Sequence, residues 1–402
     1  MGFTADEVLQ YVAEEDVKFI RLAFCDVFGK QKNISIMPDE LNRAFSSGIA
    51  IDGSAIRGFS DAVHSDLLLK PDPATLSVLP WRPDHGRVVR LFCNIAKPDG
   101  GVFLPDTRAL LMNAVREAAE MGVSFAFGSE MEFYLFNRDE NGEPTSVPYD
   151  RAGYMDIAPD DKGENVRREV CLTLEQMGIH PESSHHEEGP GQNEIDFRFS
   201  EPLRAADDAV TFKTVVNTVA ARCGLNADFS PKPLPDCAGN GMHINFSVKT
   251  ADGSDAMPYV IAGVLDHIRE MTLFLNVSDR SYQRLGQRKA PKYISWSREN
   301  RSQLIRIPAA EGEYKRAELR SPDPLCNPYL AYALMIYAGL DGIRKKTPLP
   351  DAVNENLFDP SSPAVSGLKT LPLSLGKAKT EANCDFIRQH IPAELLNAYL
   401  TI

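Results

Sequence analysis

Residues 127–136 (FGSEMEFYLF) alternate between polar and apolar side chains. Successive side chains of a β-strand point to opposite faces of its sheet. The alternation therefore places Glu130 and Glu132 on one face, and Met131, Phe133 and Leu135 on the other. It predicts a strand with an apolar face that packs against a core and an acidic face that does not.

The stretch 183–199 (SSHHEEGPGQNEIDFRF) ends with the same alternation, which puts Glu194 and Asp196 on a polar face. A Gly-Pro-Gly turn at 189–191 can fold Glu187 back towards Glu194. Carboxylates gathered in this way repel one another unless a cation holds them, and hard divalent ions prefer oxygen ligands. A solvated acidic hairpin is the alternative interpretation, because charged edge strands are common.

Two further strand-like runs have a polar face. Residues 241–248 (GMHINFSV) alternate His243, Asn245 and Ser247 with apolar neighbours, and residues 316–320 place Glu318 between Arg316 and Arg320 on one face. A sheet with so many polar positions on its inner face suggests an active-site funnel.

Helical periodicity with recognisable ends predicts the remaining elements. Helices are expected at about 5–15, from the N-cap Asp106 to Met121, at 164–177, 206–223, 259–275 and 327–343, and from about 377 onward. The segment 276–292 carries five basic residues with turn-forming neighbours and is predicted to be a basic, mobile loop. Proline-dense and strand-like segments before residue 100 predict a small β-rich N-terminal domain at 1–100, followed by a second domain at 101–402.

Composition narrows the class of protein. With 43% hydrophobic residues, the 402-residue chain has material for a sizeable core. A formal charge of −13 argues against nucleic-acid binding. The seven cysteines form no CxxC pair, and no apolar run resembles a signal peptide or approaches the roughly 18 residues of a membrane span. We therefore expect a reduced, cytoplasmic protein without a membrane anchor.

The polar residues together indicate phosphoryl chemistry on an acid. Five glutamates and one histidine suit two hard divalent ions: Glu130, Glu132, Glu187, Glu194, Glu318 and His243. Four arginines can neutralise phosphates or a substrate carboxylate: Arg284, Arg301, Arg306 and Arg320. Taken singly, each residue is more often structural. The chain has no GxxxxGK[ST] loop, dinucleotide fingerprint or GxSxG elbow, and glycoside hydrolysis would need only two carboxylates.

These residues stand in an ordered series of motifs that resembles the type I glutamine synthetase family. The resemblance covers about residues 15–375. Its motifs are DGS at 52–54, EMEF at 130–133, GEN at 163–165, HHE at 185–187, GQNE at 191–194, PKP at 231–233, GMH at 241–243, NRS at 300–302, IRIP at 305–308 and ELRSPDPLCNPY at 318–329.

The resemblance implies an α+β fold, with a small N-terminal β-grasp-like domain and a large catalytic domain built on a curved antiparallel sheet flanked by helices. It implies two or more Mg²⁺ or Mn²⁺ ions in each site. By resemblance, one metal lies on Glu132, Glu187 and Glu194, and another on Glu130, His243 and Glu318.

The resemblance also assigns the substrates. Glutamate is expected at Gly239, His243, Arg284 and Arg320, the transferring phosphate at Arg301 and Arg306, the ATP nucleotide at Glu182, Phe199, Ser247 and Arg316, and the ammonium ion at Asp52, Tyr154 and Glu187. The implied reaction phosphorylates the γ-carboxylate of glutamate and lets ammonia displace the phosphate, as part of nitrogen metabolism. Family members form homo-oligomers, so we expect a dodecamer of two hexameric rings in which Asp52 reaches a neighbour's site.

The sequence departs from the family at the amine end. A glutamate of the family's flap loop is replaced by Lys289, and a serine of the ammonium pocket by Ala55; Ala238 and Asn245 replace an asparagine and a histidine. A cation near the amine would repel ammonium, so a γ-glutamyl ligase acting on an organic amine is one alternative. A catalytically silent, ring-forming binding protein is the other, although all six metal ligands are present.

Overall fold

The computed structural model describes residues 2–59, 63–82, 85–310 and 312–402. The α-helices are α1 (Ala5–Glu14), α2 (Leu41–Ser46), α3 (Thr107–Glu120), α4 (Glu164–Gln176), α5 (Pro202–Arg222), α6 (Met257–Leu275), α7 (Asp279–Arg284), α8 (Pro328–Lys345), α9 (Leu375–Ala382), α10 (Asp385–His390) and α11 (Ala393–Leu400). Short 3₁₀ turns lie at Pro38–Glu40, Gly53–Ala55, Pro73–Thr75, Gly312–Tyr314 and Pro363–Gly367.

The strands fall into two sheets. Those of the first are β1 (Val17–Cys25), β2 (Gln31–Ile36), β3 (Ile49–Asp52), β4 (Asp66–Pro71), β5 (Ser77–Val78) and β6 (Arg87–Ala96). Those of the second are β7 (Val123–Arg138), β8 (Pro144–Pro148), β9 (Pro181–His186), β10 (Gln192–Phe197), β11 (Leu225–Asp228), β12 (Met242–Thr250), β13 (Trp296–Arg298), β14 (Ile305–Ile307) and β15 (Ala317–Leu319).

The first sheet forms the small N-terminal β-rich unit expected from the sequence. Its strands run in the order β2-β1-β6-β4-β3, with β5 on β6. The central pair β1 and β6 is parallel, and the other pairs are antiparallel. Helix α1 begins at a capping box between Thr4 and Glu7 and buries Val8 and Val12.

The second sheet is curved and carries the polar strand faces. Its order is β13-β14-β15-β12-β7-β10-β9, and β8 and β11 also pair with β7. Strand β7 spans 16 residues and lies in the middle. The sheet is antiparallel, as expected, except at one edge, where β13 and β14 pair in parallel. The chain crosses over between these strands through residues 299–304, and the sheet is therefore mixed.

Helices cover the apolar face of this sheet, as the alternating strands require. Met131, Phe133 and Leu135 are fully buried there. On helix α8, the ring of Tyr332 stacks on Phe127 at 4.5 Å. Helices α6 and α8 touch closely, since a Cβ on Gly263 would lie 2.1 Å from the carbonyl oxygen of Ala338. The polar face is consequently the one left open for a site.

A buried polar network joins the two sheets' domains. The guanidinium of Arg108 on α3 donates to Asp207 on α5 and, within 2.8 Å, to Asp72 and Asn94 of the N-terminal unit. The Tyr329 hydroxyl donates to the same Asp207 at 2.6 Å. Arg108 is only 4% exposed, so its charge depends on these partners.

Two segments differ from the sequence-based expectations. The loop predicted at 276–292 contains helix α7, which Ser278 and Ser281 cap reciprocally. The single final helix predicted from about 377 is three helices, α9, α10 and α11. No helix within the described residues is long and apolar enough to cross a membrane. All seven cysteines are free.

Candidate active site

Strand register assembles the polar faces into one site. Residues directly opposite each other in neighbouring strands have side chains on the same face, about 5 Å apart. The relevant cross-strand pairs are His185–Glu194, Glu194–Glu132, Asp196–Glu130, Glu130–His243, Asn245–Glu318 and Glu318–Arg306. A continuous band of charged and polar side chains therefore crosses five adjacent strand pairs.

One group on this band, the histidine cluster, consists of Glu130, His243 and Glu318. The Nδ1 atom of His243 lies 3.3 Å from Glu130 and 3.4 Å from Glu318. Glu318 is fully buried and accepts hydrogen bonds from Arg306 at 2.7 Å and from Arg320 at 2.5 Å. One oxygen atom from each carboxylate and one ring nitrogen lie within 4.8 Å of one another, a spacing that can hold a metal ion.

The histidine cluster has its own compensating charges and donors. Burial opposes ionisation of Glu130, but the hydrogen bond and charge of His243, together with a hydrogen bond from Asn245, lower the pKa of Glu130 to about 2. The Asn245 amide oxygen in turn accepts a 2.8 Å hydrogen bond from Arg316. Glu130 is therefore ionised at neutral pH.

The second group, the carboxylate cluster, consists of Glu132, Glu187, Glu194 and Asp196. His185 lies beside it, 3.6 Å from Glu194 and 3.9 Å from Glu187. Glu132 accepts hydrogen bonds from the backbone of Gly241 at 2.9 Å and from the amide of Gln192 at 3.1 Å. Two compact ligand groups involve these residues: His185, Glu187 and Glu194, and Glu130, Glu194 and Asp196.

The carboxylate cluster is short of positive charge. Burial, and then the charge of Glu132, raises the pKa of Glu187 to about 7. Burial and the neighbouring carboxylates raise the pKa of Glu194 well above its ordinary value. Burial and the charge of Glu130 raise the pKa of Asp196 to about 6, and one of its buried oxygen atoms has no hydrogen-bond partner in the described part of the chain. Protons or cations must neutralise such a cluster.

The donor set fits hard divalent cations. Carboxylate oxygens with a single imidazole nitrogen suit Mg²⁺ or Mn²⁺, whereas no thiol belongs to either cluster. The histidine cluster contains the three residues expected to share one ion. Of the three residues expected around the other, Glu187 and Glu194 lie in one ligand group, and Glu132 stands opposite Glu194 in the sheet.

Glu130 and His243 of the histidine cluster and all four residues of the carboxylate cluster line a cavity of about 340 Å³ that also contains the expected substrate residues. Glu318, the third residue of the histidine cluster, is fully buried. Arg284 is buried and donates to the backbone carbonyls of Ser321 and Arg320. Gly239 approaches it so closely that an added Cβ would lie 3.0 Å from the Arg284 side chain. The remaining predicted residues on the wall are Tyr154, His243, Arg301, Arg306 and Arg320.

A smaller pocket next to this cavity contains the four residues expected at the nucleotide: Glu182, Phe199, Ser247 and Arg316. Arg316 lines both spaces. Gly128 forms part of the floor, where an added Cβ would lie 3.2 Å from the backbone of Phe199. Because Arg316 links the two spaces, a molecule extending from the pocket into the cavity would pass its guanidinium.

Asp52 lies away from this cavity in the described part of the chain. It ends strand β3, is exposed, and accepts hydrogen bonds from the backbone and hydroxyl of Ser54 at 2.9 and 2.6 Å. The described residues that line the cavity do not include Asp52. Its expected contact with a neighbouring copy stays a prediction.

Lys289 lines the cavity. Its ammonium group lies 2.9 Å from a carboxylate oxygen of Glu188. The sequence interpretation did not foresee this pairing, because Glu188 is 101 positions away in the chain and belongs to the turn after β9. The cation at this position is therefore compensated.

Several residues of the site were not identified as such from the sequence. Asp196 had a detectable signal, since it alternates with Glu194 on the same strand face. His185 had the same signal relative to Glu187, two positions further on. Tyr314 and Lys315 line the smaller pocket from the segment before β15, which has no periodicity to reveal them.

Comparisons with known proteins agree with this arrangement. The family model described as "Glutamine synthetase, catalytic domain" matches residues 105–402, and that described as "Glutamine synthetase, beta-Grasp domain" matches residues 16–98. A glutamine synthetase of Methanosarcina mazei is 44% identical over 99% of this chain and 92% of its own length. One from Staphylococcus aureus is 40% identical over 99% and 93%, respectively.

Solved structures have the same architecture. A structure described as "GmaS/ADP complex-Conformation 1" superposes with a TM-score of 0.88 at 27% identity, covering 98% of this chain and 94% of that one. A Plasmodium falciparum glutamine synthetase superposes with a TM-score of 0.87 at 21% identity, covering 100% and 95%, which establishes likeness of fold. With both domains matched and relatives at 40–44% identity, the chain belongs to the glutamine synthetase family.

Proposed function

We propose that this protein is an ATP-dependent ligase that joins ammonia to the γ-carboxylate of glutamate through a γ-glutamyl phosphate. The observation that carries the proposal is one cavity in which residues of two ligand clusters lie together with six arginines, next to a pocket that shares one of them, Arg316. Family membership makes the protein a ligase that forms a C–N bond. The cavity brings together the carboxylates and arginines that this reaction requires.

Two arginines of the cavity wall, Arg320 buried and Arg306 partly buried, carry a buried donor that lacks a partner in the described part of the chain. The Nε atoms of Arg306 and Arg320 have no hydrogen-bond partner among the described residues. A buried donor without a partner costs about 1–3 kcal/mol. We place the glutamate carboxylate at Arg284 and Arg320, with Gly239 and His243 beside it, and the transferring phosphate at Arg301 and Arg306.

Mg²⁺ or Mn²⁺ would be held by the histidine cluster and by Glu132, Glu187 and Glu194. Bound there, the ions would neutralise phosphate charge and polarise the phosphoryl oxygens. The arginines hold the anionic groups in place without giving up protons. Glu187 lies in the same cavity, and its carboxylate would accept the proton that an incoming ammonium ion must lose.

The nucleotide is placed in the smaller pocket. Phe199 offers an aromatic surface for the base, while Glu182 and Ser247 offer hydrogen-bonding groups. Arg316 would contact the phosphates, because it lines both the pocket and the cavity. The phosphate chain would thus point from the pocket towards the histidine cluster.

The test is release of ADP and phosphate by the purified full-length protein with ATP, Mg²⁺, glutamate and ammonium, with glutamine identified by mass spectrometry. Omission of glutamate or of ammonium should abolish product. Glu194→Gln should reduce the rate more than about 100-fold, because it removes a ligand. Glu143→Gln, an exposed glutamate in the turn between β7 and β8, is the matched control and should leave the rate unchanged. No glutamate-dependent ADP release would instead favour a non-catalytic, ring-forming binding protein.

An organic amine in place of ammonia is a second candidate, which the position of Lys289 favours. Its side chain lines the amine end of the cavity, so the surroundings of the acceptor differ from an all-carboxylate pocket. Ala55 and Ala238 also place small apolar side chains where the family usually has polar ones. Product formation with a panel of primary amines at equal concentration decides; faster turnover with ammonia than with every other amine would reject this candidate.

We also propose a cytoplasmic homo-oligomer, a dodecamer of two hexameric rings. Exposed apolar side chains on the N-terminal unit and its connection support assembly: Phe19 at 46%, Met37 at 50%, Val102 at 66% and Leu104 at 48% exposure. Asp52 lies on the same unit and would enter a neighbour's cavity. Light scattering coupled to size exclusion measures the assembly, and a monomer that retains full activity would contradict it.

A further inference from the structure

The segment 285–291 folds Lys289 against the cavity through a tight turn. The backbone N–H of Gly286 donates to the Ala290 carbonyl at 3.1 Å, and Gly286 adopts a positive φ of 77°. Arg288 also has a positive φ, 53°, and its side chain donates to the Asp236 carbonyl at 2.9 Å. The turn therefore presents the neighbouring Lys289 side chain to the cavity wall.

The Lys289 ammonium lies in surroundings that suit a primary ammonium ion. A carboxylate oxygen of Glu188 is 2.9 Å away, and the centroid of the Tyr154 ring is 4.5 Å away. Tyr154 packs edge-on against His185, with ring centroids 5.4 Å apart, so its face is held in place. A carboxylate together with an aromatic face is a standard arrangement for binding an ammonium group.

This ammonium group stays charged. Burial lowers the pKa of Lys289, but the hydrogen bond and charge of Glu188, followed by the charge of Glu187, outweigh that effect and raise it. A protonated amine is not a nucleophile. Lys289 therefore resembles the acceptor only in its charge and shape, and cannot itself be glutamylated in this position.

We propose that Lys289 occupies the amine subsite as a tethered competitor, and that the acceptor amine binds by displacing its ammonium group from Glu188 and Tyr154. This inference rests on the proposed function, since it needs an amine acceptor. A tethered group competes at a high effective concentration. The apparent affinity for the external amine equals the intrinsic affinity multiplied by the fraction of protein in which the Lys289 ammonium has left the subsite.

The competition should change the apparent KM for one substrate only, the amine. Lys289 lies at the amine end, whereas Arg284 and Arg320 lie at the proposed glutamate position and Arg316 at the nucleotide pocket. Removing the tethered cation should change the apparent KM for the amine and leave those for glutamate and ATP within twofold. The pair is partly exposed, with 45% of the Lys289 side chain and 31% of the Glu188 side chain accessible, so an external ion can reach it.

The test compares Lys289→Met, Lys289→Arg and the control Lys249→Met, an exposed lysine on β12 outside the cavity. Lys289→Met keeps the length of the side chain and removes the charge, so KM for ammonium should fall about tenfold. Lys289→Arg keeps a cation and should stay within about twofold to threefold of the wild type. Lys249→Met should match the wild type.

A separate measurement distinguishes this inference from the proposed function. Scrambling of oxygen isotopes within ATP, measured with glutamate and without amine, reports phosphorylation of glutamate alone. If scrambling occurs in all variants and KM for ammonium in Lys289→Met is unchanged or higher, Lys289 does not compete and the inference fails. If the wild type shows no scrambling, the proposed function fails, and the inference with it.

Discussion

The two ligand clusters lie on the same face of one sheet, yet their charge balance is opposite. In the histidine cluster, Arg306 and Arg320 hold Glu318, and His243 and Asn245 hold Glu130, whose pKa falls to about 2. In the carboxylate cluster, burial and then mutual repulsion raise the pKa of Glu187 to about 7 and that of Asp196 to about 6. Side chains of the protein compensate the negative charge of the histidine cluster, whereas the negative charge of the carboxylate cluster requires ions or protons from solution.

The two clusters differ in the residues that surround them rather than in the types of residue that compose them. Both clusters consist mainly of glutamates on alternating strand positions. What separates them is the neighbouring strands. β12, β14 and the end of β15 supply a histidine, an asparagine and arginines, whereas β9 supplies His185 and the Ser183 hydroxyl, which donates to Asp196. We expect the first cluster to be pre-organised and the second to depend on cations.

The largest effect should follow from Glu318→Ala. The change leaves two buried guanidinium groups without their carboxylate, and breaking a buried ion pair from one side costs about 3–5 kcal/mol. The free energy of unfolding, measured by urea denaturation in EDTA, should fall by that amount. Glu143→Ala is the control. A stability equal to that of the wild type would show that the histidine cluster is not internally compensated.

The next largest effect is on pH dependence without metal. Glu187 and Asp196 have higher pKa values folded than unfolded, so the folded state binds more protons, and stability falls as pH rises through 6 and 7. For Glu187, a change from 4.5 to about 7 corresponds to about 3 kcal/mol. Unfolding in EDTA at pH 5 and pH 8 measures it.

Two controls make this measurement specific to the carboxylate cluster. Glu187→Gln should reduce the slope between pH 5 and pH 8, because one titrating carboxyl is gone, and should leave the part that Asp196 and Glu194 contribute. Added Mg²⁺ should restore stability at pH 8 in the wild type, since it replaces the missing protons. A slope equal to that of the wild type would assign the titration to groups other than Glu187, such as His186, whose pKa is also raised although burial opposes it.

Glu194→Gln should separate stability from activity. Removing one charge from the carboxylate cluster should stabilise the metal-free protein by about 1–2 kcal/mol at pH 8. The same change should lower the ligase rate and weaken Mg²⁺ binding, seen as a smaller metal-dependent rise in Tm. A metal-free variant less stable than the wild type would contradict the interpretation that repulsion dominates there.

The smallest expected effect is that of Asn245→Ala in the histidine cluster. It removes one of the hydrogen bonds to Glu130 and leaves Arg316 without its 2.8 Å partner. A single hydrogen bond contributes about 1 kcal/mol, so stability should fall by about that amount. Equilibrium binding of ADP should weaken by a few-fold, as Arg316 loses its orientation. Unchanged ADP affinity would show that Arg316 is positioned in another way.

Alternation along single strands allowed much of the site to be predicted. It placed Glu130 and Glu132 on the open face, and helix α3 begins after its expected N-cap Asp106. The resemblance to a family supplied the assignments to substrate, metal and nucleotide. Asn245 stood on the predicted polar face of β12, but its contact with Glu130 depends on the pairing of β12 with β7.

The rest depends on information that a single segment does not carry. The register of β10 against β7 sets which carboxylates meet, and the pairing of Glu188 with Lys289 joins residues far apart in the chain. Helix α7 had a local signal in the serines at 278 and 281, but the density of basic residues favoured a loop. The parallel pair β13 and β14 follows from a crossover that no periodicity marks.

The Arg108 network at the domain junction has a consequence for chimeric proteins. Its guanidinium is shared between Asp72 and Asn94 of one domain and Asp207 of the other. Grafting residues 16–98 from a relative with apolar residues at those two positions would leave the Arg108 charge with fewer partners inside the protein. A graft of the N-terminal domain should therefore be tolerated only when it brings polar partners for Arg108 at positions 72 and 94.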